Sequence, residues 1–127
     1  MLSNARLLIV EDVFLIALDI QRVIEDANAL QTVFARNFGE AAALRDQFHS
    51  FDLAIINPPL PDTEEMRTAE ALVAAGVAIV VCTAARLDLS GTGLAGVEMI
   101  SKPFADEALL AACRQALLKA SARSSGL

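Results

Sequence analysis

The chain has 127 residues, of which 55% are hydrophobic, and 10 Lys and Arg against 16 Asp and Glu give it a formal net charge of −6. This size and apolar content fit one globular domain and exclude a disordered chain. The negative charge argues against nucleic-acid binding, and no apolar stretch approaches the roughly 20 residues that span a bilayer. We therefore expect a soluble, cytoplasmic protein that binds neither nucleic acid nor membrane.

The chain alternates short runs rich in Val, Ile and Leu with longer segments of helical period, a pattern typical of βα units on a parallel sheet. Strands are predicted at 7–10, 30–35, 53–56, 77–82 and 97–100, and helices at about 13–27, 40–48, 64–75 and 106–120. The segment 87–96 carries three glycines, so we expect a ragged turn or a loop there. The domain should span 1–120, with 121–127 as a flexible C-terminal tail.

The cysteines and the histidine have structural interpretations. Cys82 and Cys113 lie inside apolar runs, so we expect packed thiols in a reducing compartment and no disulfide. His49 has no partner at metal-ligand spacing and is expected on the surface. None of these three residues is expected to carry chemistry.

Polar residues follow four of the five predicted strands. Glu11 and Asp12 follow the first strand, Asn57 the third, Thr83 the fourth and Lys102 the fifth. The carboxyl ends of parallel strands meet at one edge of a sheet, and ligands usually bind there. Two carboxylates with an amide oxygen suit Mg²⁺, and a lysine beside a hydroxyl suits a phosphoryl group. We call these five residues the rim.

Four segments spread over nearly the whole chain, LLIVED, DLAIIN with the following PPLP, VCTA and SKPF, resemble the receiver domains of two-component response regulators, the CheY-like family. The resemblance implies an α/β fold, a (βα)₅ flavodoxin-like three-layer sandwich with a central five-stranded parallel sheet. It also implies that position 57 accepts phosphate from a kinase histidine. Mg²⁺ would be held by Glu11, Asp12, the residue at position 57 and the backbone carbonyl of Pro59.

The same resemblance places the phosphoryl oxygens against Thr83, Ala84 and Lys102, with Lys102 preceding a cis peptide bond to Pro103. Thr83 and Met99 then occupy the positions of the conformational switch. These roles follow from the resemblance and not from the spacing of the residues. The plain alternative for Met99 is a core-filling side chain.

Several positions depart from the receiver pattern. Asn57 stands where the family has its aspartate nucleophile, and a carboxamide cannot form the acyl phosphate. Pro59 lacks the N–H that helps to hold the phosphoryl group, and Met99 replaces the switch aromatic. With fewer negative ligands, the Mg²⁺ site is expected to be weak or vestigial. These separate departures indicate a naturally degenerate receiver.

The rim residues also have ordinary structural interpretations. Asp12 could be the N-cap of the first helix, Asn57 an Asx-type turn residue and Thr83 a cap for the segment after the fourth strand. Lys102 could form an ion pair with Glu11 or Asp12, which would offset the repulsion between those two carboxylates. A rim without phosphate chemistry favours these interpretations for Thr83 and Lys102.

The first helix has a wider apolar surface than one buried stripe needs, because Phe14, Leu15 and Leu18 lie off its main apolar line. In receiver domains, this helix start and the loop after the fifth strand dock the histidine-bearing helices of kinases and phosphotransfer proteins. The residues at those places here are Phe14, Leu18, Pro103 and Phe104. The alternative is that Phe14 and Leu15 only cover the sheet edge.

We therefore expect a stand-alone receiver-like protein, an atypical pseudo-receiver of a phosphorelay that acts by protein contact and is not an enzyme. Its partners would be a histidine kinase, a histidine phosphotransfer protein or another signalling protein, and a homodimer is also compatible. One alternative is a conventional phosphorylatable regulator that carries an Asp-to-Asn mutation at position 57. A further alternative is a small Mg²⁺-dependent phosphohydrolase, which would lack a nucleophile.

Overall fold

The computed structural model describes residues 2–85 and 87–125. Its elements in chain order are β1 (Arg6–Val10), α1 (Phe14–Asp26), β2 (Gln31–Ala35), α2 (Phe38–Ala42), a 3₁₀ turn (Arg45–Ser50), β3 (Leu53–Ile56), α3 (Glu64–Ala74), β4 (Ala78–Thr83), β5 (Glu98–Ser101) and α4 (Asp106–Ser125). The strands form one parallel sheet in the order β2-β1-β3-β4-β5, which confirms the expected flavodoxin-like α/β fold. Among these described elements, no helix has the length and apolarity to cross a bilayer.

Helices cover both faces of the sheet. Alternate strand residues point to opposite faces, so Leu7 and Ile9 join one buried cluster with α1 and α4, while Leu8 joins a second cluster with α2 and α3. Burial on both sides explains why the central strands read as continuous apolar runs.

At the edge of the sheet, β5 alternates half-buried and exposed residues, and Met99 is 41% exposed. The core-filling interpretation of Met99 is therefore wrong.

The second helix differs from its prediction. α2 begins at Phe38, because the Asn37 side chain accepts a hydrogen bond from the Glu40 backbone N–H at 2.8 Å. It ends after five residues, and the 3₁₀ turn that follows buries Phe48. Phe38, at the start of α2, and Phe48, in the 3₁₀ turn, are both buried in the second cluster. The single helix expected at 40–48 is therefore wrong.

The fourth crossover is a loop over residues 87–96, as expected. Gly91 and Gly96 have φ angles of 80° and 81°, a left-handed backbone that a continuous helix does not contain. The loop still covers the sheet, because Leu89 and Leu94 are buried in the second cluster.

The last helix is longer than predicted. α4 continues through Ser125, so the helix end predicted at about residue 120 is wrong and residues 121–125 are helical. Residues 126–127 lie outside the described residues. Acidic residues in the first turn and Arg123 in the last turn complement the helix dipole, which favours the full length of this helix.

The two cysteines are buried and free, as expected. Burial raises the pKa of Cys82 and that of Cys113 to about 12, because an apolar environment disfavours the thiolate. Both thiols are therefore neutral and poorly reactive at physiological pH. His49 is exposed, which confirms its expected surface position.

Candidate functional site

The carboxyl ends of four strands bring the rim residues to one edge of the sheet. β1 and β3 are paired in register to their last residues, so Glu11 and Asn57, which follow them, are neighbours. β5 ends in register with the last residue of β4, Thr83, and Lys102 follows directly. The parallel register therefore places these residues together, as the sequence predicts.

Lys102, which follows β5, bonds across β4 to the residues that follow β1 and β3. Its Nζ donates to Glu11 Oε1 at 2.7 Å and to Asn57 Oδ1 at 2.9 Å. The Glu11 side chain is 1% exposed and that of Lys102 is 19% exposed. A buried carboxylate is costly unless it is paired and hydrogen-bonded, so this ion pair is structurally required. The expected pairing of Lys102 with a rim carboxylate is confirmed, and the carboxylate is that of Glu11.

The Asn57 amide lies between the two carboxylates and the ammonium. Its Nδ2 donates to Asp12 Oδ1 at 2.9 Å and to Glu11 Oε2 at 3.2 Å. Its Oδ1 accepts from Lys102, so both ends of the amide are engaged. Chemistry decides this orientation, because carboxylates only accept and an ammonium only donates. The side chain therefore bonds to the rim and does not form the Asx-type turn that the sequence left open.

Glu11 also stabilises the start of α1. Its Oε2 accepts a hydrogen bond from the Val13 backbone N–H at 3.0 Å. Val13 is the N-cap residue and makes no side-chain cap, so the N-cap interpretation of Asp12 is wrong. The pKa of Asp12 is lowered, because its carboxylate accepts hydrogen bonds from its own backbone N–H and from Asn57 and lies near the Lys102 ammonium. Asp12 is therefore ionised at neutral pH.

The Thr83 hydroxyl bonds to the loop after β4. Its Oγ1 donates to the Ala85 carbonyl at 2.7 Å and accepts from the Ala85 backbone N–H at 3.1 Å. The Thr83 carbonyl accepts from the Lys102 backbone N–H at 2.8 Å. These local bonds support the interpretation of Thr83 as a cap for the following segment. Ala84 and Lys102 both line the groove described below.

The rim in this arrangement does not fit Mg²⁺. A cation near the two carboxylates would meet the N–H groups of Asn57, whereas the amide oxygen is directed at Lys102. Both oxygens of Glu11 already accept hydrogen bonds. Over residues 2–85 and 87–125, no group of three or more His, Cys, Asp and Glu is placed to hold a metal ion. Direct ligation of a metal by Asn57 and Glu11 therefore requires the amide to rotate and Lys102 to release Glu11.

The chain after β3 offers few backbone donors to the rim. Positions 58 and 59 are both prolines and have no N–H. Pro59 is buried, and its neighbour Pro58 lines a cavity of about 230 Å³ beside Asn57. The Leu60 N–H donates to Glu65 Oε1 at 3.1 Å. Positions 58–60 therefore present no free N–H to a phosphoryl group at position 57.

A groove of about 710 Å³ lies between α1 and the loop after β5. Its lining consists of Leu15, Ile16, Asp19, Ala84, Lys102, Pro103 and Phe104. The Lys102–Pro103 peptide bond is cis, as the resemblance implies. Phe14 and Leu18 are 71% and 41% exposed, but they lie outside the groove lining. The four residues predicted to dock a partner therefore belong to two surfaces.

No family model matches the chain, and no curated protein matches it. Among solved structures, a CheY-like response regulator receiver domain protein from Methanospirillum hungatei JF-1 is 22% identical, with a TM-score of 0.74 over 95% of this chain and 99% of that one. The signal receiver domain of an HD domain-containing protein from Pseudomonas fluorescens Pf-5 is 21% identical, with a TM-score of 0.76 over 94% and 99%. Chemotaxis response regulator CheY4 of Vibrio cholerae is 20% identical, with a TM-score of 0.71 over 90% and 99%. At these identities the likeness establishes the fold: the chain has the fold of a CheY-like response-regulator receiver domain.

Proposed function

We propose that this chain is an atypical receiver-like signalling module that works by protein contact and does not receive phosphate at position 57. The hydrogen-bonded position of Asn57 carries the proposal. Its amide links Glu11 and Asp12 to Lys102, at the place where a receiver holds its aspartate nucleophile. The receiver fold supports a role in two-component signalling.

The amide has no nucleophilic atom to offer. Its nitrogen lone pair is delocalised into the carbonyl, and its oxygen bears no full charge and accepts from Lys102. The Glu11 carboxylate is buried and paired with the same ammonium. The rim therefore stabilises the end of the sheet, and this supports an output by contact rather than by phosphotransfer.

The groove between α1 and the loop after β5 is the surface that we assign to the partner. Leu15 is 75% exposed and lines the groove together with Phe104, while Asp19 and Lys102 add one charge of each sign. An apolar groove with a few polar groups suits the apolar face of an amphipathic helix. We infer that the partner is a histidine kinase, a histidine phosphotransfer protein or another signalling protein with such a helix.

Acetyl phosphate or phosphoramidate with Mg²⁺ should leave the wild-type chain unmodified, because position 57 offers no nucleophile. Intact-mass spectrometry after incubation measures any phosphoryl gain, and a receiver with the usual aspartate, treated in parallel, should gain one phosphoryl group. A phosphoryl group mapped to a rim residue would contradict the proposal. So would steady hydrolysis of the donor that Glu11→Ala abolishes, because it would indicate an enzyme.

Leu15→Asp should weaken partner binding about thirtyfold, since an apolar contact at the centre of an interface contributes about 2 kcal/mol. Leu118→Asp is the matched control, because it makes the same change at a leucine of α4 that is 63% exposed and outside the groove. Calorimetric titration with a histidine-bearing domain that binds the wild type measures both affinities. Equal losses in the two variants would place the contact elsewhere.

A further inference from the structure

β2 is an edge strand of the sheet and pairs with a described strand on one side only. β2 lies at one end of the strand order and pairs with β1 in unbroken register over all five of its residues. Natural sheet edges are protected by charged residues, prolines or bulges. The β2 sequence QTVFA has no charge and no proline, and its register shows no bulge. The strand therefore carries none of these three protections against strand addition.

The side of α1 above this edge is apolar and exposed. One row of α1 residues faces α4 and the loop before it: Ile16 lies beside the loop and Val23 beside α4. A second row, which contains Ile20, is buried against the sheet. By helical spacing, Phe14 and Leu18 fall on a third row, on the side away from α4. Since α4 packs on β4 and β5 whereas α1 contacts β2, this third row overhangs the β2 edge.

Two residues of the β2 segment extend the same surface. Phe34 is 40% exposed, and it pairs in register with Ile9, whose side chain packs in the cluster under α1, so both point to the α1 side. Leu30, which is 64% exposed, lies on that side by the two-residue period of a strand. The exposed parts of Phe14, Leu18, Leu30 and Phe34 amount to about 400 Å² of apolar surface, which we call the β2-edge surface.

We propose that the β2-edge surface is a homodimer interface, in which β2 of two copies pairs antiparallel about a two-fold axis at Val33. Antiparallel pairing of a strand with its own copy is self-complementary, as a two-fold interface must be. It places Phe34 of each copy opposite Thr32 of the other, and an aromatic opposite a β-branched residue is a favourable cross-strand pair. The two five-stranded sheets become one continuous sheet.

Area favours a second copy as the occupant, and charge at the edge does not oppose it. A standard interface buries about 800 Å² per partner, of which roughly 450 Å² is apolar, and the β2-edge surface supplies nearly that amount. Arg36, which directly follows β2, is neutralised within its own chain, since it pairs with Glu40 at 2.8 Å. Although each chain carries a net charge of −6, two copies meet no concentrated repulsion at this edge.

Sedimentation equilibrium of the wild-type chain should show, at high concentration, a species of twice 13.5 kDa that dissociates on dilution. Phe14→Asp and Phe34→Lys should each raise the dimer dissociation constant about thirtyfold or more, because each puts a charge into an apolar interface. Phe14 is 71% exposed, so its variant should fold even where Phe34→Lys does not. Circular dichroism of each variant checks the fold.

Two substitutions serve as matched controls. Leu118→Asp changes an exposed leucine of α4, and Met99→Asp changes an exposed residue at the opposite edge, on β5. Both should leave the dissociation constant unchanged. A monomer at every concentration, a dimer that tolerates Phe14→Asp, or a dimer that Met99→Asp dissociates would overturn the proposal. The measurement needs no phosphodonor and no partner, so its outcome is independent of the proposed function.

Discussion

Lys102→Met should lower the free energy of unfolding by about 3–5 kcal/mol, because it leaves the buried carboxylate of Glu11 without its ion-pair partner. The substitution also removes the hydrogen bond to Asn57 Oδ1. Methionine retains an unbranched apolar side chain, so lost packing should contribute little. Urea unfolding followed by circular dichroism at neutral pH measures the change.

Lys119→Met is the matched control for this prediction. Lys119 also pairs with a carboxylate at 2.7 Å, that of Glu98, but the lysine side chain is 50% exposed. Water screens such a pair, so its loss should cost no more than about 1 kcal/mol. Combining Glu11→Gln with Lys102→Met should recover part of the stability, since no unpaired buried charge is left. Equal losses in the two single lysine variants would contradict the structural role of Lys102.

Asn57→Asp should make the stability of the fold depend on Mg²⁺. The change removes both N–H bonds to Glu11 and Asp12 and adds a third carboxylate between them. In metal-free buffer the variant should therefore melt several degrees below the wild type. Millimolar Mg²⁺ should restore the Tm of the variant and leave that of the wild type unchanged, because a hard cation binds three carboxylates better than two. Thermal unfolding with and without Mg²⁺ measures both effects.

The same variant should accept phosphate slowly and retain it briefly. Pro59 still provides no N–H to the phosphoryl oxygens, and the loss of one such donor typically costs about 3 kcal/mol. Intact-mass analysis over time with acetyl phosphate measures formation and decay. Asn37→Asp is the matched control, because Asn37 lines the same cavity at an N-cap where aspartate is equally suitable. This variant should keep the wild-type Tm and should gain no phosphoryl group. Rapid and long-lived phosphorylation of Asn57→Asp would show that one mutation separates this chain from a conventional receiver.

The sequence by itself was enough to predict the sheet and the grouping of the rim. β1, β3 and β4 are continuous apolar runs, and such runs form strands that are buried on both faces. Residues that follow parallel strands must meet at one edge, so Glu11, Asn57 and Lys102 could be grouped without coordinates. The departures at position 57 and at Pro59 were also readable, because they follow from the functional groups those residues lack.

Helix boundaries required the tertiary structure, because burial decides them. Phe48 is buried from a 3₁₀ turn and not from α2, and the apolar pattern of 40–48 does not report which side chain the sheet will cover. Residues 121–125 are small or polar and carry no stripe that would predict a helix. α4 nevertheless extends through them, beyond Ala120, the last of its residues in the buried cluster.

The tertiary structure alone decided which partner each polar and apolar group takes. Lys102 could have reached either carboxylate, and its ammonium pairs with Glu11 because that carboxylate is the buried one. Helical spacing placed Phe14 and Leu18 off the buried stripe, but it could not separate them from Phe104. That separation depends on how α1 is rotated about its own axis. Packing against the sheet and α4 sets this rotation, and the spacing of residues along one helix does not contain it.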